Sequence, residues 1–115
     1  MQNRDGTVTS PDVLKPLVIR SLRRSNVRKK IAEYLFDISP SGSYTSDIAY
    51  NVKTTPTNVI GAIRGMSSRY RDDNSLISLN IVEQIYSTSR DIKIYRITDF
   101  GKEIISILQE NKSKP

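Results

Sequence analysis

The chain has 115 residues, 37% hydrophobic and 26% charged, which suits one folded core and excludes a disordered polyelectrolyte. It contains no Cys and no His, so disulfides, zinc ribbons, thiol nucleophiles and the commonest general base and metal ligand are all absent. The net charge of +6, with a pI near 9.7, favours anionic partners such as nucleic acid or acidic lipid.

Met1-Gln2-Asn3-Arg4-Asp5 is not followed by a signal-peptide core, and no apolar run approaches a membrane span. A cytoplasmic protein without membrane contact is expected. Residues 1–10 lack periodicity and are expected to be mobile. Ser10 can cap one helical turn, which Pro16 is expected to stop. Leu17-Val18-Ile19 is too short a run to separate strand from helix, and it suits either the core or a second subunit. Residues 1–24 are thus read as an N-terminal extension with a candidate dimer contact.

Charge is concentrated in Arg20, Arg23, Arg24, Arg28, Lys29 and Lys30, with no acid from 20 to 30. Ser25 can cap a helix whose stripe is Val27, Ile31, Tyr34, Leu35 and Ile38. The basic side lies toward its start, against the helix dipole, which points to a partner for the charge. A solvated helix face is the alternative. Ser39-Pro40-Ser41-Gly42-Ser43 is a turn segment. A short helix follows with Thr45 or Ser46 as cap, Asp47 in its first turn, and Ile48, Ala49 and Val52 inward.

Thr54-Thr55-Pro56-Thr57-Asn58-Val59-Ile60-Gly61-Ala62-Ile63-Arg64-Gly65-Met66 reads as the next helix. Thr55 is placed to cap it, Pro56 stands at the first helical position, and Val59, Ile63 and Met66 share one face. Its other face carries Thr57, Asn58, Gly61 and Arg64, and no acid occurs from Thr54 to Tyr70. Such a face meets nucleic acid without charge repulsion. Two short helices in this order form a helix-turn-helix pattern, the second helix being the candidate recognition helix.

Residues 67–74 form a polar connection, and Ser75-Leu76-Ile77-Ser78-Leu79 reads as a further helical turn closed by Asn80 in a left-handed conformation. Ile81 to Tyr86 and Ile92 to Ile97 have strand composition, with Ser87-Thr88-Ser89-Arg90-Asp91 as the hairpin tip. Thr98 is expected to cap a last helix whose inner face is Phe100, Ile104, Ile107 and Leu108, fraying after residue 110. Ile105 lies off that stripe and marks a candidate dimer interface, as does the segment around Leu17. The six tyrosines are scattered through the elements, and most are expected to be core or half-buried rather than an RNA-stacking platform.

Ser78-Leu79-Asn80-Ile81-Val82-Glu83 and Tyr95-Arg96-Ile97-Thr98-Asp99-Phe100-Gly101-Lys102 stand behind that helix pair. They resemble two signatures of the winged helix-turn-helix family of prokaryotic, especially archaeal, transcription regulators. The first is the turn into the first wing strand, usually Leu-x-x-Leu-Gly-Leu-Val. The second is the closing Tyr-x-Leu-Thr-x-x-Gly step into the final helix. The resemblance spans about Ser25 to Leu108, and it departs from the pattern in Asn80 for the usual Gly and in the lengthened segment 67–75.

It implies an α+β, mainly α fold over residues 25–110, with three helices, a two-stranded β-hairpin wing and a C-terminal helix, followed by a disordered tail at 111–115. It also implies double-stranded DNA binding by a transcription regulator, with the recognition helix in the major groove and the wing on phosphate or minor groove. Thr57, Asn58, Gly61 and Arg64 are then the base-reading candidates: Asn pairs with adenine, Arg with guanine, and the Thr methyl meets the thymine methyl. Gly61 and Gly65 equally allow tight packing on another helix. Phosphate candidates are Arg23, Arg24, Arg28, Lys53, Thr54, Arg69, Arg90 and Lys93, with Arg96 partly structural. A homodimer is expected, because one short helix reads only a few base pairs. No cofactor, small-molecule ligand or enzymatic activity is implied. The rival reading is a winged-helix protein-interaction module in a transcription or replication complex.

Overall fold

The computed structural model describes residues 11–65, 75–86 and 92–113. It is mainly helical: α1 (Pro11–Arg23), α2 (Asn26–Ile38), α3 (Thr45–Val52), α4 (Pro56–Arg64), strands β1 (Val82–Tyr86) and β2 (Lys93–Ile97), and α5 (Asp99–Ser113). The strands pair antiparallel, with Val82 opposite Ile97 and Tyr86 opposite Lys93. On its other edge β2 is bridged by Ser43, whose N–H donates to the Tyr95 carbonyl and whose carbonyl accepts from the Tyr95 N–H, both at 2.9 Å. That bridge seats the hairpin beside the start of α3.

α1 corrects the expectation that Pro16 stops the first turn, since the helix runs on to Arg23 with Pro16 inside it. An interior proline costs about 3 kcal/mol. Val18 and Leu22 are both buried, each contributing roughly 1.5–3 kcal/mol, so together they offset the proline. The apolar run 17–19 is therefore helical, with Val18 inward and Leu17 exposed at 57%. Arg20 and Arg23 now fall in the last turn of α1, where the helix dipole favours cations. Part of the charge that opposes the dipole of α2 is thus favourably placed on α1.

Ser25 caps α2, its Oγ accepting from the Arg28 N–H at 3.2 Å. The cap of α3 is Tyr44 rather than Thr45 or Ser46, and it makes no side-chain capping bond. Helical geometry begins at Thr45 itself because the backbone reaches it straight from the Ser43 bridge. The core is shared by all five helices and the hairpin, and includes Leu22, Ile31, Leu35, Ile48, Ile63, Ile81, Tyr95 and Ile104. Ile105 is fully buried in it, which removes that residue as a dimer contact. α1 packs on α2 and α5, and Lys15 pairs with Glu103 at 2.8 Å to hold it there.

The base of the hairpin is organised by Thr98. Its Oγ1–H donates to the Asn80 carbonyl at 2.6 Å, and the same oxygen accepts from the Gly101 N–H at 2.9 Å, capping α5 as expected. Asn80 takes the left-handed conformation, with φ 62°. Residues 75–80 form hydrogen-bonded turns, the Leu79 N–H donating to the Ser75 carbonyl at 2.9 Å as in one helical turn.

Candidate nucleic-acid interface

α3 and α4 are joined by three residues, Lys53, Thr54 and Thr55. Lys53 sits at φ 60°, and its N–H donates to the Tyr50 carbonyl at 3.3 Å. The Thr54 N–H donates to the Ala49 carbonyl at 2.9 Å, so the end of α3 is closed by the turn itself. Thr55 then caps α4, accepting from the Asn58 N–H at 3.1 Å, with Pro56 in the first helical position as expected. Val59 and Ile63 are buried beneath this helix, which packs on α2 and α3.

The far end of α4 is closed by tertiary contact. Gly65 turns the chain away at φ 82°, a conformation costly for residues with a Cβ. The chain returns at Leu76 and Ile77, whose N–H groups donate to the carbonyls of Ala62 at 2.9 Å and Ile63 at 3.0 Å. Two last-turn carbonyls that a helix end leaves unpaired are thereby satisfied. Arg64 is the final residue of α4, and Met66 lies outside the described residues.

The four base-reading candidates all belong to α4: Thr57, Asn58 and Arg64 are exposed, and Gly61 is half-buried. Asn58 Nδ2–H donates to Thr54 Oγ1 at 2.9 Å, so Thr54 faces the helix it precedes. Lys53 is exposed beside it, and Thr54 is half-buried. Lys93 is exposed at the outer end of β2, opposite the exposed Tyr86. Arg96 pairs with Glu83 across the strands at 2.7 Å, consistent with a partly structural role. Arg69 and Arg90 lie outside the described residues. Arg23 at the end of α1 and Arg24 in the turn after it are exposed, and with Pro16, Ile19 and Arg20 they line a cleft of about 460 Å³.

Arg28 differs from these cations. The residue is half-buried, and among the described residues its Nε is buried with no hydrogen-bond partner. An unpaired buried N–H costs stability, so Arg28→Met is expected to raise the unfolding free energy by about 1 kcal/mol, read as a higher urea midpoint. A fall in stability would show that the guanidinium is held by the fold after all.

The tyrosines were only partly legible. Tyr95 is buried and Tyr34 half-buried, but Tyr44, Tyr86 and above all Tyr50, at 84%, are exposed. Tyr50 is a surface residue the sequence reading passed over. The signal was present, because Ile48, Ala49 and Val52 claim the inner stripe of α3 and leave position 50 on the other side. On that outer side Asn51 Nδ2–H donates to Tyr34 Oη at 3.2 Å and to the Asp47 carbonyl at 2.8 Å.

Comparison with known proteins gives the chain relatives. An uncharacterized protein of Methanocaldococcus jannaschii is 41% identical over 100 residues, which cover 87% of this chain and 88% of that one. No solved structure matches the chain. Residues 18–108, from the buried Val18 of α1 to the buried Leu108 of α5, match the model of the EarA-like family. The chain belongs to the EarA-like family.

Proposed function

We propose that this protein is a winged helix-turn-helix transcription regulator that binds double-stranded DNA without a cofactor and without catalysis. The observation that carries the reading is the outer face of α4. It is exposed, free of acids and rich in hydrogen-bonding groups, and it stands behind a three-residue turn. An α-helix of this kind fits the major groove, where amide, guanidinium and threonine methyl groups distinguish base pairs. β1 and β2 are the wing in this reading, with Lys93 directed at phosphate. Lys53, Thr54, Arg23, Arg24 and Arg28 supply further phosphate contacts, as do Arg69 and Arg90. The site is the cytoplasm, where DNA is accessible.

Phosphate contacts give most of the affinity and release counterions, so binding must weaken as salt rises. For a random-sequence duplex, the seven cationic phosphate contacts predict a loss of roughly several thousandfold in affinity between 50 and 200 mM salt. Fluorescence anisotropy of a labelled duplex reads this directly. No binding at 50 mM, or binding indifferent to salt, would refute the proposal.

The reading includes a homodimer, for which Leu17 on α1 is the exposed apolar contact. The same helix supports the second reading, a protein-interaction module, because the apolar Ile19 lines the arginine-rich cleft and Leu17 is exposed on α1. That reading takes over if duplex binding fails.

A further inference from the structure

We propose that Asn58 is an adenine reader held in register by Thr54, which acts as a positioning residue; the proposal rests on the DNA-binding reading of α4. A side-chain amide has one carbonyl oxygen and two N–H donors. One N–H of Asn58 is committed to Thr54 Oγ1 at 2.9 Å. What remains is one acceptor and one donor on an exposed side chain. Adenine offers the complement in the major groove, a donor at N6 and an acceptor at N7, whereas guanine offers two acceptors, O6 and N7.

The orientation is what Thr54 adds. A free asparagine amide can turn over and present its oxygen and nitrogen in either order. With one N–H donated to Thr54 Oγ1, the oxygen points away from it, and this is the order of acceptor and donor that the structure holds along α4. The anchor is itself immobilised, since the Thr54 N–H is bonded to the Ala49 carbonyl of α3 at 2.9 Å. Capping does not compete for these groups: Thr55, not Thr54, accepts from the Asn58 N–H, and the Asn58 side chain takes no part in it. The adenine-reading geometry is therefore present before DNA arrives, which reduces the ordering cost of binding. The alternative is an ordinary surface hydrogen bond along one turn, with no role in recognition.

The test begins with duplexes selected from a random pool by the native protein. In a retained duplex each adenine is replaced singly by 7-deazaadenine, which keeps N6 and Watson–Crick pairing but carries C–H in place of N7. The expected result is a position at which this change weakens binding roughly five- to tenfold, as loss of one hydrogen bond of a bidentate pair should. The readout is the ratio of affinities for the adenine and 7-deazaadenine duplexes, not the affinity itself. Thr54→Ser, which keeps the oxygen, should retain that ratio. Thr54→Val, which has the same shape without the acceptor, should bring it to within roughly twofold, and Asn58→Ala should abolish it. A scan of the native protein with no sensitive adenine overturns the proposal, whatever the variants do. An unchanged ratio in Thr54→Val, with its fold confirmed by thermal melting, overturns the role of Thr54. Failure of the native protein to bind any duplex at low salt overturns the DNA-binding reading and this proposal together.

Discussion

Gly101→Ala is expected to destabilise the protein by about 2–3 kcal/mol, the upper part of the range for overpacking a closed interior. Gly101 is buried in the first turn of α5. A methyl group there would meet the Ile81 carbonyl oxygen and would lie 2.7 Å from Ile97 Cγ1. Neither obstacle swings aside easily. The Ile81 carbonyl accepts from the Thr98 N–H at 2.9 Å, and Ile97 is held in the strand pair opposite Val82. Relief would require α5 to back away from the hairpin, loosening the Thr98 cap and the contacts of Ile104. Alanine favours a helix over glycine by only about 1 kcal/mol, too little to compensate. For a domain of this size the midpoint of thermal unfolding should fall by roughly 10–20 °C, measured by circular dichroism. A neutral or stabilising result would mean that α5 can shift without cost, and the tight closure at the base of the hairpin would have to be abandoned.

Arg64→Ala is expected to weaken binding to a selected duplex by roughly ten- to a hundredfold, the cost of losing a bidentate guanine contact, and to leave random-sequence duplexes nearly unaffected. Arg64 ends α4, exposed and within a stretch of sequence that carries no acid from 54 to 70, where an arginine can reach a base edge. Replacing Arg23 and Arg24 together should behave differently. These residues lie at and just after the end of α1, outside α4, so their loss should weaken every duplex alike and lower the slope of log affinity against log salt by about 2. Titrations of selected and random duplexes at several salt concentrations distinguish the two patterns. A uniform loss from Arg64→Ala would assign it to phosphate, leaving base recognition to Thr57 and Asn58.

Much of this arrangement can be read without coordinates, and the successes share a cause. Ser25, Thr55 and Thr98 each cap the helix they precede, because a hydroxyl two or three residues before free N–H groups acts within one turn of chain. Asn80 adopts its left-handed turn for an equally local reason. The alternation in the two strands likewise announces the hairpin, and its buried side, Tyr95 and Ile97, follows from period two.

The errors are those of local rules overruled from a distance. Pro16 is a helix breaker by every local criterion, and only the burial of Val18 and Leu22 against other elements lets α1 continue through it. Ile105 stands off the expected apolar stripe of α5, yet it is buried, because α1 packs on that helix as well as on α2. A helix covered from two sides buries a broader arc than its single best stripe. Tyr50 shows the converse: an aromatic residue expected inside is left outside by a helix too short to bury more than one edge.

The sequence by itself thus determined the order of elements from α2 onward, the caps of α2, α4 and α5, and the acid-free character of the α4 face. Those properties depend on residues within a few positions of one another. Only the tertiary structure decided where α4 ends, because its last carbonyls are satisfied by Leu76 and Ile77, more than ten residues further along. It alone decided that Thr54 restrains Asn58, since two polar side chains four residues apart have many possible partners. It also separated the cations: Arg96 is committed to Glu83, Arg28 carries a buried Nε without a partner among the described residues, and Arg23 and Arg24 are exposed at and just after the end of α1. Charge can be counted along a chain, but what each charge faces is set by packing, and packing joins residues that the sequence keeps far apart.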